Sequence, residues 1–321
     1  MPESDPLHLA VLFRRPDEVV ELLRSKVDPD APDAHGQTPL IRAVRKGYDE
    51  IARILLEGGA SPNILTPDGT ALHIAADFGR LEICRFLLQH GADPNREARG
   101  YTPLSYACAA GYLQIVELLL QRGANPNAPE NASFTPLMHA GIKGDSGIVK
   151  ALLAAGADPN LPNFQGEPPL FISCNADCVR ALLESGADAK AVDQQGRTVL
   201  MRFVAGASIE TLRLYLESGV DVNAKDKDGY TALLLLCESA CIDAAELLIA
   251  TGADINARLP TNHTLLDFVR EQSEGRRPDR TKKQGFIGYL RSKGAKSATE
   301  LPPLPQPKWD WTDISIPHRF D

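Results

Sequence analysis

Two cysteine pairs mark the first places to look for chemistry. Cys174 and Cys178 stand four residues apart, as do Cys237 and Cys241. Side chains at i and i+4 share a helical face, and paired thiolates bind zinc where further ligands converge on them. Histidine is the other metal ligand and the usual proton carrier. His8 and His73 each follow a leucine, whereas His35, His90, His139, His263 and His318 show no common spacing and no paired Glu. The sequence contains no Gly-x-Ser-x-Gly nucleophile turn and no Gly-x-x-x-x-Gly-Lys phosphate loop. A basic run, Arg276-Arg277-Pro278-Asp279-Arg280-Thr281-Lys282-Lys283, has the composition of a nuclear-localisation or anion-binding patch. A solvated, exposed loop is the simpler expectation for it.

The elements that must position these residues come from an internal repeat. Gly-x-Thr-Pro-Leu stands at Gly36–Leu40 and again at Gly100–Leu104, with worn copies at intervals between and beyond. The anchoring leucines Leu7, Leu40, Leu72, Leu104, Leu137, Leu170, Leu200, Leu233 and Leu266 are 33, 32, 32, 33, 33, 30, 33 and 33 residues apart. A period in this range means stacked supersecondary units, each buried by its neighbours. In that register Cys108, Cys174 and Cys237 fall four residues after an anchor, where Ala76 stands. Cys84 and Cys178 fall in slots held elsewhere by Val116 and Ile115. Free cysteine packs as a small apolar side chain, so buried structural cysteines are expected. No catalytic set, metal site or cofactor site is expected.

One unit, Glu97 to Asn127, shows how the phrase folds. Gly100 supplies the positive φ of a tight turn. Thr102 is placed to cap a helix, with Pro103 at its first position. Leu104, Ala107 and Cys108 share one face of that helix, and Gly111 ends it. A second, more apolar helix carries Ile115, Val116, Leu118, Leu119 and Leu120, and Gly123 stops it in the left-handed region. Asn125-Pro126-Asn127 turns the chain into the next unit.

Turn, short helix, turn, longer helix, turn resembles the ankyrin repeat. The resemblance rests on Gly36-Gln37-Thr38-Pro39-Leu40, on Thr70-Ala71-Leu72-His73-Ile74-Ala75-Ala76, and on Leu87-Leu88-Gln89-His90-Gly91-Ala92-Asp93-Pro94-Asn95. It implies an all-α repeat solenoid, a stack of antiparallel helix pairs with short β-hairpin or turn fingers along one edge. The family's Leu-His histidine, here His8 and His73, implies hydrogen bonds between adjacent turns. The solenoid is expected over residues 1–297. Its units lie near 6–30, 33–63, 66–95, 97–127, 130–160, 163–190, 193–223 and 226–256, with a cap at 259–297. A tail with prolines and tryptophans occupies 298–321.

Departures from the phrase locate irregularity. The first unit carries Lys26 where later units carry glycine. Repeat four, 130–160, lacks the turn glycine. Repeat five, 163–190, is short: Leu170 to Leu182 spans 12 residues, against 15 from Leu137 to Leu152. A tighter turn between its helices is expected. In the cap, about nine extra residues near Glu274–Lys283 are expected to separate two helices, the second being Phe286–Arg291.

The chain has 321 residues, a formal charge of −8 and a pI near 5.5. That balance argues against a nucleic-acid partner, which needs clustered Lys and Arg. No apolar run approaches the length of a membrane span. Met1–Ala10 has no signal-peptide pattern. The expectation is a cytoplasmic protein, with the nucleus as the alternative location, and a monomer that binds another protein. It would act as adaptor, scaffold or inhibitor.

In ankyrin repeats partners usually meet the finger tips and the exposed positions of the first helix, on the concave side. Carried over, those positions include Gln37, Arg45, Asp68, Asp77, Phe78, Arg99, Tyr101, Phe134, Ile142, Lys143, Phe164, Glu167, Arg197, Tyr230 and Glu238. Phe78, Tyr101, Phe134, Ile142 and Phe164 form a central apolar stripe, and aromatic residues and Arg dominate binding hot spots. The competing reading tucks Phe134 and Phe164 inward as packing. The tail holds both tryptophans, Trp309 and Trp311. Either it packs back on the last repeats or it is a linear motif. The second case gives the alternative of an effector or ubiquitin-ligase-type adaptor that recruits a second protein.

Overall fold

The computed structural model describes residues 5–131, 134–274 and 280–302. It forms two compact units, Met1–Asp221 and Val222–Asp321.

The first unit is a two-layered stack of helix pairs. One layer holds the first helices: α1 (Pro6–Leu12), α3 (Pro39–Lys46), α5 (Ala71–Asp77), α7 (Pro103–Ala110) and α9 (Pro136–Lys143). The other holds α2 (Pro16–Arg24), α4 (Asp49–Glu57), α6 (Leu81–Gln89), α8 (Leu113–Gln121) and α10 (Ser146–Ala154). Each helix packs on its partner and on the like helix of the next repeat. Threonine and proline set the starts. The side chains of Thr38, Thr102 and Thr135 accept from backbone N–H groups of the first turn, and a proline follows each. Gly111 ends α7 at φ 89, a conformation that strains any residue with a Cβ. In the first unit Lys26 takes up the left-handed turn instead, at φ 60.

The anchoring leucines of this unit, Leu7, Leu40, Leu72, Leu104, Leu137, Leu170 and Leu200, are all buried between the layers. Burying one leucine contributes about 1.5–3 kcal/mol, so each copy of the phrase adds one anchor to the core. Asparagines then tie successive loops together. Asn63 donates from Nδ2 to the Gly91 carbonyl at 2.8 Å, and its Oδ1 accepts from the Asp93 N–H at 2.8 Å. Asn95, Asn127 and Asn160 repeat both bonds. Lys190, next in the series, has no side-chain acceptor and cannot do the same.

Repeat five departs further than a tight turn. Its first helix shrinks to a single 3-10 turn, Pro169–Phe171, before α11 (Ala176–Glu184). The missing residues come out of the helix itself. Cys174 therefore does not reach the buried slot expected for it. It is exposed, and Ser173 is buried there instead. Repeat six follows with a short α12 (Val199–Phe203) and a full α13 (Ile209–Glu217). In α13 Tyr215 fills the slot held elsewhere by Leu119 and Leu182. It is fully buried, donates its hydroxyl to the Ser173 carbonyl at 2.8 Å and stacks on Phe203 at 6.1 Å. A bulkier side chain fills space left by the lost helical turn and satisfies one of its freed carbonyls.

The second unit holds α14 (Leu236–Ser239), α15 (Ile242–Ala250), α16 (Leu265–Glu274) and α17 (Arg280–Ser292). Asn223 clamps Gly252 and Asp254, and Asn256 accepts from the Lys296 N–H at 2.8 Å. The closing helix is longer than the Phe286–Arg291 expected. It begins at Arg280, six residues earlier, while residues 275–279 of the expected insertion lie outside the described residues. Arg280–Lys283 of the basic run are accordingly helical, and Lys283 is buried. Among the described residues the fingers are turns closed by isolated bridges, such as Thr66 with Gly69 and Ala98 with Tyr101, with no strand.

Candidate partner interface

Two sets of residues face outward on the first-helix side of the first unit: the last turns of the first helices and the fingers before them. Phe78, just after α5, is 47% exposed, Ile142 near the end of α9 is 58% exposed, and Phe164 in the fifth finger is 58% exposed. The outward placement expected for them holds, and Phe164 does not tuck in. Lys143 is exposed beside Ile142. Between Phe78 and Ile142, repeat three presents only Ala109 and Ala110 at the equivalent positions. Helical period and repeat period together thus place a shallow step between two apolar projections.

Tyr101 and Phe134 are half-buried. Both rings lie against His139, at 6.2 and 5.7 Å between centroids, and Tyr101 also meets Tyr106 at 6.0 Å. Tyr106 in turn meets His73 edge-on at 5.7 Å. The row His73, Tyr106, Tyr101, His139, Phe134 crosses repeats two to four. For Phe134 the inward alternative is therefore partly correct: the ring packs against His139 while the residue stays half-exposed.

Electrostatics at the first fingers centre on Asp68. Arg45 lies 2.6 Å from it, Gln37 donates to it at 3.0 Å, and Arg99 approaches at 3.7 Å. Arg99 itself sits at φ 55 and stays exposed. Three successive repeats thus meet at one carboxylate. Glu167, expected to face outward, is buried, where it accepts from Asn163 Nδ2 at 3.0 Å. The compact fifth repeat folds its own finger inward at that residue.

His8 and His73 behave as the Leu-His position implies. His8 Nε2 contacts the Ala31 carbonyl at 2.8 Å, and His73 bridges Thr70 Oγ1 at 2.8 Å and the Tyr101 carbonyl at 3.2 Å. Burial pushes the His73 pKa down to about 4, against the pull of its backbone hydrogen bonds.

The expectation of no paired Glu fails at His139. Its Nε2 lies 2.7 Å from Glu130 Oε2, and the Ser105 hydroxyl donates to Glu130 Oε1. His263 likewise meets Glu271 at 3.3 Å. Further outward apolar residues escaped the sequence reading: Leu12, Phe13, Leu65 and Val192 are exposed. Leu65 and Val192 each stand just before a finger turn, and that recurring position was the available signal. Tyr230 lies in the second unit, half-buried against Phe268 at 6.3 Å. Trp309 and Trp311 lie outside the described residues, as does His318, and so do the side chains of Cys237 and Glu238.

Helix pairs stacked in two layers, with turn fingers on one side, define a repeat protein built to present a surface. The sequence profile of ankyrin repeats matches overlapping segments 3–66, 58–130, 96–163, 128–193 and 170–258. The chain belongs to the ankyrin-repeat family. Its fold is similar to the crystal structure of the ankyrin repeat domain of Bcl-3, described as a unique member of the IkappaB protein family. The two are 30% identical with a TM-score of 0.59, over 67% of this chain and 99% of that one. The human ASB11 ankyrin repeat domain is 25% identical with a TM-score of 0.60, over 68% of this chain and 99% of that one. Human neurogenic locus notch homolog protein 4 is 39% identical over 66 residues, 20% of this chain. The match spans only 3% of that curated relative. Ankyrin repeats are protein–protein interaction modules. No helix among the described residues is long and apolar enough to cross a membrane.

Proposed function

We propose that this chain is a non-catalytic binding module. Its first unit would hold a protein partner on the first-helix side of repeats two to five. The observation that carries this is the outward placement of Phe78, Ile142 and Phe164 in repeats two, four and five, with exposed Arg99 and Lys143 in repeats three and four. Large apolar side chains are costly to leave in water, and grouped exposed ones usually mark an interaction site. Half-buried Tyr101 and Phe134 add rigid contact area between these projections, and charged side chains form a polar rim. Adaptor, scaffold and inhibitor are the roles open to such a surface, in the cytoplasm or the nucleus. The test is an alanine scan of Phe78, Ile142 and Phe164 against the bound partner. At least one variant is expected to weaken binding by about 2 kcal/mol, as central anchors do. Full affinity in all of them defeats the proposal.

A further inference from the structure

The fourth finger is built unlike its neighbours, and the difference leads to a residue under the proposed interface. In four other fingers a short side chain closes the turn. Asp33, Asn163, Asp193 and Asp226 each accept through Oδ1 from the N–H groups two and four residues later, at 2.8 to 3.0 Å. Repeat four has Glu130 in that column, one methylene longer. Its carboxylate turns instead toward the first-helix layer, where its side chain is fully excluded from solvent. There Oε1 accepts from Ser105 of α7 and Oε2 contacts His139 Nε2 of α9 at 2.7 Å. Ser105 is also tied to Thr102 Oγ1 at 2.8 Å. One side chain thus pins a finger to two helices of successive repeats. The finger tip gains a second hold, since Asn131 bonds the Arg99 and Gly100 carbonyls at 2.6 and 3.2 Å. A carboxylate without water is retained only when its oxygens are satisfied, and here both are.

We infer that Glu130 is a positioning residue. By bonding Ser105 and His139 together, it locks the fourth finger to α7 and α9 and holds the Tyr101, His139 and Phe134 rings in place. That these rings serve a partner rests on the reading given above. The brace itself does not depend on it. Tyr101 and Phe134 meet across His139, and His139 is held by Glu130.

Amide hydrogen exchange by NMR on the full chain tests this without a partner. In Glu130→Ala the amides of Glu130, Asn131 and Phe134 should exchange roughly tenfold faster, as expected for lost hydrogen bonds that gate local opening. The His139 ring resonances should shift with them. Glu130→Gln should restore both. Its carbonyl accepts from Ser105 and its amide donates to the other tautomer of His139. Ser105→Ala removes one limb and should give an intermediate increase, which keeps the test open if Glu130→Ala does not fold. The amides of the Asp193 finger serve as the unchanged reference. Unaltered exchange at the fourth finger in Glu130→Ala and Ser105→Ala overturns the inference. So does a uniform increase through both helices, which would make Glu130 a contributor to stability alone. Failure of the partner reading would show in the alanine scan and leave these exchange rates as they are.

Discussion

Repeats three and five start from the same kind of turn phrase and end in different structures. Repeat three builds a full first helix, α7, capped by Thr102 and ended by Gly111. Repeat five, with three fewer residues between its leucines, keeps only the 3-10 turn Pro169–Phe171. Its neighbour supplies the missing volume through Tyr215, whose hydroxyl takes the Ser173 carbonyl. The contrast teaches that a stack tolerates a lost helical turn if the adjoining unit fills the gap and satisfies the backbone. It also separates tasks. Repeats two to four, with full first helices, carry the polar network and the ring row. The irregular fifth keeps the leucine anchor and an exposed Phe164.

Exchanging the compensating residues breaks this comparison most strongly. Tyr215→Leu, which installs the residue that repeats three and five use in that slot, should cost about 3 kcal/mol. It opens a cavity and leaves the Ser173 carbonyl unpaired. The reciprocal Leu119→Tyr should cost about 1–3 kcal/mol by overpacking repeat three. Denaturant unfolding checks both, and an innocuous Tyr215→Leu would refute the compensation.

A second difference is in titration. His73 occupies the position after the anchor leucine, whereas repeat five has buried Phe171 there. The folded-state pKa of His73 is lowered from 6.5 to about 4. The unfolded chain therefore binds the extra proton between those values. Stability from this group is complete above pH 6.5 and is lost as the pH falls toward 4. The loss amounts to at most about 3 kcal/mol by the standard conversion. A His73→Phe variant should show a flatter stability profile over that window, measured by denaturant midpoints at each pH. An unchanged slope would remove His73 from the account.

The smallest effect concerns the loop clamps. Asn160 ties repeat four to five, whereas Lys190 cannot tie repeat five to six in the same way. Lys190→Asn should add about 1 kcal/mol, the net value of a typical hydrogen bond, and slow amide exchange near Gly219. No gain would show that the Lys190 loop is already held by other contacts.

Much of this was legible in the sequence because the repeat states it many times. Period, threonine caps, stop glycines and the leucine core are local properties repeated unit by unit. Single departures were harder. The deletion in repeat five was visible, but whether it shortens a turn or a helix depends on packing, and Cys174 was misplaced with it. Tyr215 stood alone in a leucine column, a signal that becomes meaningful once the gap beside it is known. Glu130 stood in a column that holds Asp or Asn in four other repeats, and its pairing with His139 crosses a finger that sequence spacing does not describe. The outward Phe78, Ile142 and Phe164 were found because helical period and repeat period agree on which side they face.

The proposed partner surface is the first-helix side of repeats two to five. The most direct measurement is calorimetric affinity for the co-purifying partner, using wild type, an Ile142→Ala/Phe164→Ala variant and a Phe86→Ala control. Phe86 lies in the second-helix layer beneath Arg53, whose guanidinium is 4.6 Å from its ring. Affinity should fall roughly tenfold or more in the double variant, the range of hot-spot truncations, with the control unchanged. Full affinity in the double variant together with a clear loss in Phe86→Ala would contradict this placement and move the interface to the opposite layer.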